Sequence, residues 1–434
     1  MHIYFSGIGG AGIGPLAQIA FKSGYSVSGS DKRGSDYISY LKKHGIDDIV
    51  LSQDEAAIKS IHQKNPIDWV VYTSALTLEN ENPAELQFCK ENSIKFSKRD
   101  EFLNEFIKLK KLKMIAIAGT HGKTTTTAML VWLFKQLGLP ISYILPAKTN
   151  FADMGEYDQQ SQYFIYEADE FDRNFLAFNP FLSVISGVAW DHHEIYKTQA
   201  EYLEAFRQFI NQSNQTIIWQ SDYDLINLAQ KQTIIKLSDN LAEVDRIDLI
   251  GLFNRRDALL AITALNQAID GLKLTDLTDL IKSFPGLSRR MEEIRPNLYS
   301  DYAHTPEKIT AALNVISEIK DKKKLNNSKI IIIYEPLTNR RQHYIKDSYR
   351  HLFDQADFIY WVDSYLARED PNQEILSPAK LISYLANPKK ASPAKIDNEL
   401  KTKITKHLAK NDLVLAISGG GGNSLDEWLR LNFL

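Results

Sequence analysis

The chain has 434 residues, and its 51 Lys and Arg against 54 Asp and Glu give a formal net charge of −3 at pH 7. That length exceeds one hydrophobic core, so two or three domains are expected, while a hydrophobic share of 44% and a charged share of 24% are ordinary for a soluble globular protein. The near-neutral charge gives no electrostatic reason to expect nucleic acid, and a lone Cys89 excludes a disulfide framework or a cysteine-rich zinc site.

Met1 leads straight into the apolar strand HIYFS, without the basic and apolar regions of a signal peptide. No apolar run approaches the roughly 20 residues of a membrane span. A cytoplasmic protein that needs no membrane is expected. Strand His2–Ser6 meets Gly7-Ile8-Gly9-Gly10-Ala11-Gly12, a G-x-G-x-x-G turn, and a helix follows to about Lys22. Strand Ser26–Gly29 then ends in Ser30-Asp31, with the acid about where a ribose-binding acid belongs. Alone, this Rossmann-like unit suggests a nicotinamide or flavin site, or a glycine turn that binds nothing. Strands Asp48–Leu51, Trp69–Tyr72 and Ile94–Phe96 follow, and Thr73-Ser74-Ala75 ends the second of these facing the same cleft. The basic stretch Lys108–Lys113 reads as a linker or helix end and puts a boundary near residue 108.

Residues 112–130, LKMIAIAGTHGKTTTTAML, form an apolar strand, a tight glycine turn with one lysine, and a helix opened by four threonines. That order of parts holds nucleotide phosphates. Backbone N–H groups from Gly119, Thr120, His121 and Gly122 can converge on anionic oxygens at a positive helix end. Lys123 adds a point charge, and Thr124 or Thr125 adds a hydroxyl for Mg²⁺. The turn is shorter than G-x-x-x-x-G-K-[ST], because Ile117 stands where the first glycine would be.

Strand Tyr163–Tyr166 runs into Glu167-Ala168-Asp169-Glu170, and strand Phe181–Ser186 runs into Gly187 and then Trp190-Asp191-His192-His193-Glu194. Both clusters fall on the sheet edge that carries the lysine turn, where open α/β sheets bind ligands. Glu167 is a natural Mg²⁺ ligand, although acidic residues after strands are also common helix caps. Histidine is an unusual Mg²⁺ ligand, so His192 alone reads as orienting a carboxylate or phosphate. A long helix is expected near 199–212, and Gly251-Leu252-Phe253-Asn254 opens another through Leu265. Arg289-Arg290 follow a Phe-Pro-Gly-Leu-Ser turn, and Asp301-Tyr302-Ala303-His304-Thr305-Pro306 follows strand Leu298–Ser300. Isolated, these read as a capping Asn, a surface Arg pair and a turn with Pro at the first helical position. Strands Lys329–Tyr334, Asp357–Val362 and Asp412–Ile417 complete a third α/β segment, with 320–329 as a polar loop. Ser418-Gly419-Gly420-Gly421-Gly422-Asn423 is an anion nest or a flexible turn. Repeated strand-helix alternation argues for three α/β domains with mostly parallel sheets, at 1–108, 109–292 and 293–434.

In order, SGIGGAGIG, GSD, GTHGKTTTT, EADEFDRNFL, AWDHHEIY, GLFN, SRR and DYAHTP resemble the Mur ligases, the ATP-dependent amino-acid ligases of peptidoglycan precursor synthesis, over essentially the whole chain. The resemblance implies a Rossmann-like N-terminal domain, a P-loop-type central ATPase domain and a Rossmann-like C-terminal domain. Gly7, Gly9, Gly10, Gly12, Ser30, Asp31 and Ser74 would then bind a UDP-sugar, displacing the nicotinamide reading. It implies that ATP phosphorylates a muramoyl carboxylate and that an amine attacks the acyl phosphate. Lys123 would steady the β/γ-phosphates, and Thr124, Glu167 and His192 would hold Mg²⁺. Asn254, Arg290 and Asp301 would meet the nucleotide, with His304 closing over it.

The glycine turns and EADE most resemble the alanine-adding branch, which takes UDP-N-acetylmuramate and L-alanine; a monomer or homodimer is expected. Tyr302 and Arg341 would then face the amino acid. That branch carries two arginines after the third-domain strand. Here Arg341 matches the second, Thr338 stands at the first, and Glu335-Pro336-Leu337-Thr338-Asn339 is similar to the branch that attaches a recycled tripeptide. Competing readings are an oxidoreductase with an unrelated phosphate site and a catalytically silent binding protein.

Overall fold

The computed structural model describes the chain apart from residues 11, 74–75, 77–79, 193–194, 230–232, 367–368 and 371 and the side chains of residues 36 and 241. Two compact units emerge, one of residues 1–248 with 256–284, the other of residues 249–255 with 285–434. The chain crosses between the units at 248/249, at 255/256 and, for the last time, at Phe284/Pro285.

The first unit holds two sheets. In one, β1 (His2–Ser6), β2 (Ser26–Ser30), β3 (Ile49–Val50), β4 (Trp69–Tyr72) and β5 (Lys95–Lys98) lie parallel in the order β3-β2-β1-β4-β5. Every residue of β1 is buried, as a central parallel strand covered on both faces requires. Strand order reverses between β1 and β4, which opens a crevice beyond their carboxyl ends. The other sheet comprises β6 (Lys113–Ala118), β7 (Ser142–Ile144), β8 (Gly155–Glu156), β9 (Tyr163–Glu167), β10 (Leu182–Ile185), β11 (Gln215–Trp219) and β12 (Ile234–Leu237). Its order is β12-β11-β10-β6-β9-β7-β8, parallel except for the β7–β8 pair. β6 thus lies between β9 and β10, with Ile117 opposite Glu167 and Ala118 opposite Ile185.

One core runs under both sheets. Phe5, Phe102 and Phe106 belong to the same buried cluster as Met114, Tyr166 and Phe175. Lys22, at the end of helix Gly14–Lys22, pairs with Asp153 at 3.2 Å and Glu156 at 2.8 Å. Through that shared burial the first two expected segments pack against each other within one compact unit.

The second unit has one sheet: β13 (Glu292–Arg295), β14 (Leu298–Asp301), β15 (Ile330–Glu335), β16 (Phe358–Trp361), β17 (Ala391–Pro393) and β18 (Leu413–Ser418). Its order is β13-β14-β18-β15-β16-β17, and only β13–β14 is antiparallel. All six residues of β15 are buried, and apolar clusters cover both faces of the sheet. Helix Pro306–Lys322 extends into the stretch expected as a polar loop, with Lys320 and Lys322 in its last turn, where the helix dipole favours cations. Among the described residues no helix is long and apolar enough to cross a membrane.

Candidate active site

The lysine turn leaves β6 and enters helix Lys123–Gln136. Gly119 (φ +141°) and Gly122 (φ +77°) take backbone conformations that L side chains resist. A Cβ on Gly122 would also collide with the buried Asp257 carboxylate. The first intrahelical bond runs from Thr126 N to Gly122 O at 2.8 Å, so the N–H groups of Lys123, Thr124 and Thr125 have no acceptor within the helix. Not every expected donor faces the ligand. Thr120 N donates to Gly187 O at 2.8 Å, and its buried hydroxyl meets Ala189 O at 2.8 Å and Tyr202 Oη at 2.7 Å. Ser186 Oγ donates to His121 O. Thr120 therefore laces the turn to the chain after β10.

Three strand ends converge here. Glu167 is the last residue of β9, and its charge acts on Lys123. Lys123 Nζ donates to Glu170 Oε2 at 2.7 Å and to Gly119 O at 2.6 Å. Burial alone would lower the Lys123 ammonium, but Glu170 and then Glu167 hold it above the usual lysine range. Burial pushes the Glu170 carboxyl up, while His192 and Lys123 bring it below the usual glutamate range. His192 takes a left-handed backbone (φ +54°) and lies 3.6 Å from Glu170 Oε1. The edge of Phe171 packs on its ring at 5.2 Å. Among the described residues no three His, Cys, Asp or Glu form a ready metal cage. Mg²⁺ at a nucleotide takes one or two protein carboxylates and keeps waters and phosphate oxygens. The carboxylate of Glu167, whose charge reaches Lys123 at the start of the helix, suits that demand.

Gly7 N and Ile8 N both donate to Ser30 O, at 2.8 and 2.9 Å, and Gly9 N donates to Asp31 Oδ2 at 2.9 Å. Ser30 is fully buried and gives its hydroxyl to Glu85, so it shapes the first glycine turn from beneath. A Cβ on Gly12 would strike Arg99 Nη1, and one on Gly10 would lie 3.2 Å from Gly7 O. Ser74 and His193 lie outside the described residues, and Asn150 is exposed.

In the second unit, Asp301 accepts from Met291 N at 2.9 Å and Ala303 N at 2.8 Å, which ties its carboxylate to its own turn. Arg289 and Arg290 lie 4.7 and 5.3 Å over the Tyr302 ring, whose edge meets His304 at 5.0 Å. Burial, then the charges of Lys308 and Arg341, push the His304 imidazole down to about 3, so it is neutral at physiological pH. Gly419 packs between Leu337 and His304, bringing the turns after β14, β15 and β18 together. Buried Glu335 accepts from Ser418 Oγ at 2.5 Å and Leu425 N at 3.1 Å. Thr338, at φ +50°, caps helix Asn339–Ile345 by accepting from Arg341 N at 3.3 Å. Arg341 Nη1 is buried and has no hydrogen-bond partner among the described residues. Asn254 donates to Ile250 O at 2.8 Å, on a segment bonded through Gly251 N to Glu318.

Residues 2–111 match the Mur ligase family catalytic domain and residues 117–248 the Mur ligase middle domain. A UDP-N-acetylmuramate–L-alanine ligase of Clostridium acetobutylicum is 30% identical, with 96% of this chain and 95% of that protein aligned. The chain belongs to the Mur ligase family. Another ligase of that name, from Christiangramia forsetii, is 30% identical over 90% of this chain and 89% of its own. The fold also matches two solved structures. One is the UDP-N-acetylmuramate–alanine ligase of Thermotoga maritima, at TM-score 0.71 and 22% identity over 97% of this chain and 96% of that one. The other is a murein peptide ligase of Psychrobacter arcticus, at TM-score 0.62 and 23% identity over 99% and 97%.

Sequence reading of this Mur ligase missed Glu170 as the partner of Lys123, although it ends the quoted EADE. It also missed Asp257, Arg99 and Glu85. The last three sit inside helical patterns where an acid or arginine reads as solvated surface, and only the packed structure puts them against glycine turns.

Proposed function

We propose that this Mur ligase joins L-alanine to the carboxylate of UDP-N-acetylmuramate, converting ATP to ADP and phosphate through an acyl phosphate. The observation that carries the reading is the meeting of Lys123, Glu167 and His192 at the ends of β6, β9 and β10, in a chain aligned almost end to end with alanine ligases. Such chemistry needs positioning and charge neutralisation more than a protein nucleophile. Gly7, Gly9, Gly10 and Gly12 would shape the UDP-sugar site at the start of helix Gly14–Lys22, with Asp31 clamping the turn. Lys123 would meet the β/γ-phosphates, and Thr124, Glu167 and His192 would hold Mg²⁺, whose bound charge offsets that of the phosphates. The substrate carboxylate attacks the γ-phosphorus and ADP leaves. The alanine amine then attacks the acyl carbon, loses a proton, and inorganic phosphate departs. Asn254, Arg290, Asp301 and His304 are assigned to the nucleotide, and Tyr302 with Arg341 to the amino acid.

A second reading is favoured by one observation. Thr338 and the fully buried Asn339 build a helix cap where an arginine would otherwise stand, and Asn339 bonds to Glu374 O and Leu376 N at 2.9 and 2.8 Å. That reading adds the tripeptide L-Ala-γ-D-Glu-meso-diaminopimelate instead of alanine. Phosphate release from ATP with UDP-N-acetylmuramate and L-alanine, L-serine, glycine or the tripeptide in turn separates them. Strict dependence on the tripeptide overturns the alanine assignment.

A further inference from the structure

We infer that Glu170, a carboxylate outside the expected ligand set, is a positioning residue that fixes Lys123 and His192 relative to each other for phosphoryl transfer; the inference rests on the nucleotide-site reading above. Its side chain is 1% exposed, and its two oxygens divide their contacts. Oε2 lies 2.7 Å from Lys123 Nζ, and Oε1 lies 3.6 Å from His192 Nε2. Glu170 is itself anchored from the opposite side. Its backbone carbonyl accepts from Tyr196 Oη at 2.6 Å, Tyr196 packs edge-on against Tyr202 at 4.9 Å, and Tyr202 Oη meets Thr120 in the lysine turn at 2.7 Å. The next residue, Phe171, packs on the His192 ring, and Asp172 and Arg173 (φ +53° and +58°) then turn the chain away.

An ammonium has three protons. Glu170 and Gly119 O take two from Lys123, which leaves the third for a phosphate oxygen and restrains the side chain at two points. A carboxylate that only balanced buried charge would not need this second anchor.

The test uses the full chain with Glu170→Gln, and with Glu170→Asp, which keeps the charge but is one methylene short. The first readout is acetylation of Lys123 by an N-hydroxysuccinimide ester, without nucleotide, counted by peptide mass against exposed Lys59. It should rise severalfold in both variants. The second is steady-state kinetics. A displacement of about 1 Å at a reacting group costs about a hundredfold, so kcat should fall by that order while KM for UDP-N-acetylmuramate stays within twofold. Unchanged Lys123 labelling in the folded Glu170→Asp protein overturns the inference. So does a rise in that KM together with collapse of the melting temperature, which marks a merely structural role. A wild-type protein that releases no phosphate from ATP fails the ligase reading instead, while the labelling comparison still reads the positioning.

Discussion

Asp222 offers a pH test whose size follows from its surroundings. It stands in the short helix Gln220–Ile226, only 9% exposed, and accepts a hydrogen bond from Val188 N at 3.1 Å. Burial raises its carboxyl from 3.8 to about 6; the Val188 N–H and Arg256 pull the other way, and Asp239 adds to the rise. The folded chain therefore holds this proton more tightly than the unfolded chain does. The stabilising contribution is complete below 3.8 and is lost as pH rises through about 6. At about 1.4 kcal/mol per tenfold change in affinity, the loss amounts to about 3 kcal/mol at most. Asp222→Asn keeps an oxygen for Val188 N and removes the charge, while Arg256 retains Asp239 at 3.0 Å. The variant should match wild type near pH 4 and melt up to about 5 °C higher at pH 8, at a little under about 2 °C per kcal/mol for a unit of this size. Thermal unfolding by near-UV circular dichroism from pH 4 to 8 measures it. An offset independent of pH, or a variant less stable at pH 8, refutes the argument.

Lys123→Ala removes the cation bonded to the buried Glu170 carboxylate, so it should abolish turnover and cost about 3–5 kcal/mol in urea unfolding, while calorimetric UDP-sugar binding persists. Gly122→Ala combines a left-handed backbone with a collision at Asp257; a loss of about 1–3 kcal/mol and of ATP-dependent phosphate release is expected in melting and turnover assays. The imidazole of His304 should stay neutral in proton NMR spectra down to pH 5, and a titration midpoint near 6.5 would contradict its surroundings. Because the unfolded chain binds that proton more readily, acidification from 6.5 towards 3 should destabilise the fold, and His304→Gln should flatten the trend.

The strand-turn-helix units were legible because apolar runs such as Ile330–Tyr334 and glycine turns such as Gly119–Gly122 carry their structure locally. The meeting of Lys123, Glu167 and His192 was legible too, because parallel strands bring successive carboxyl ends to one edge. Strand ends shifted by a residue, as at Glu167 and Glu335, because a terminal acid reads as loop until its pairing is known. The sequence marked Asp31 and Ser30 but not their partners: the first clamps Gly9 and the second gives its hydroxyl to Glu85. Those partners lie 22 and 55 residues away along the chain, beyond the reach of any local pattern.

Continuity of the apolar cluster through Phe102, Phe106, Met114 and Tyr166 limits how this gene can be cut. An excised piece beginning near residue 109 would present a bare oily face where helix Arg99–Leu109 had lain. Expression trials with such a fragment should give inclusion bodies, whereas a fragment ending at 284 without the earlier cut keeps that face covered.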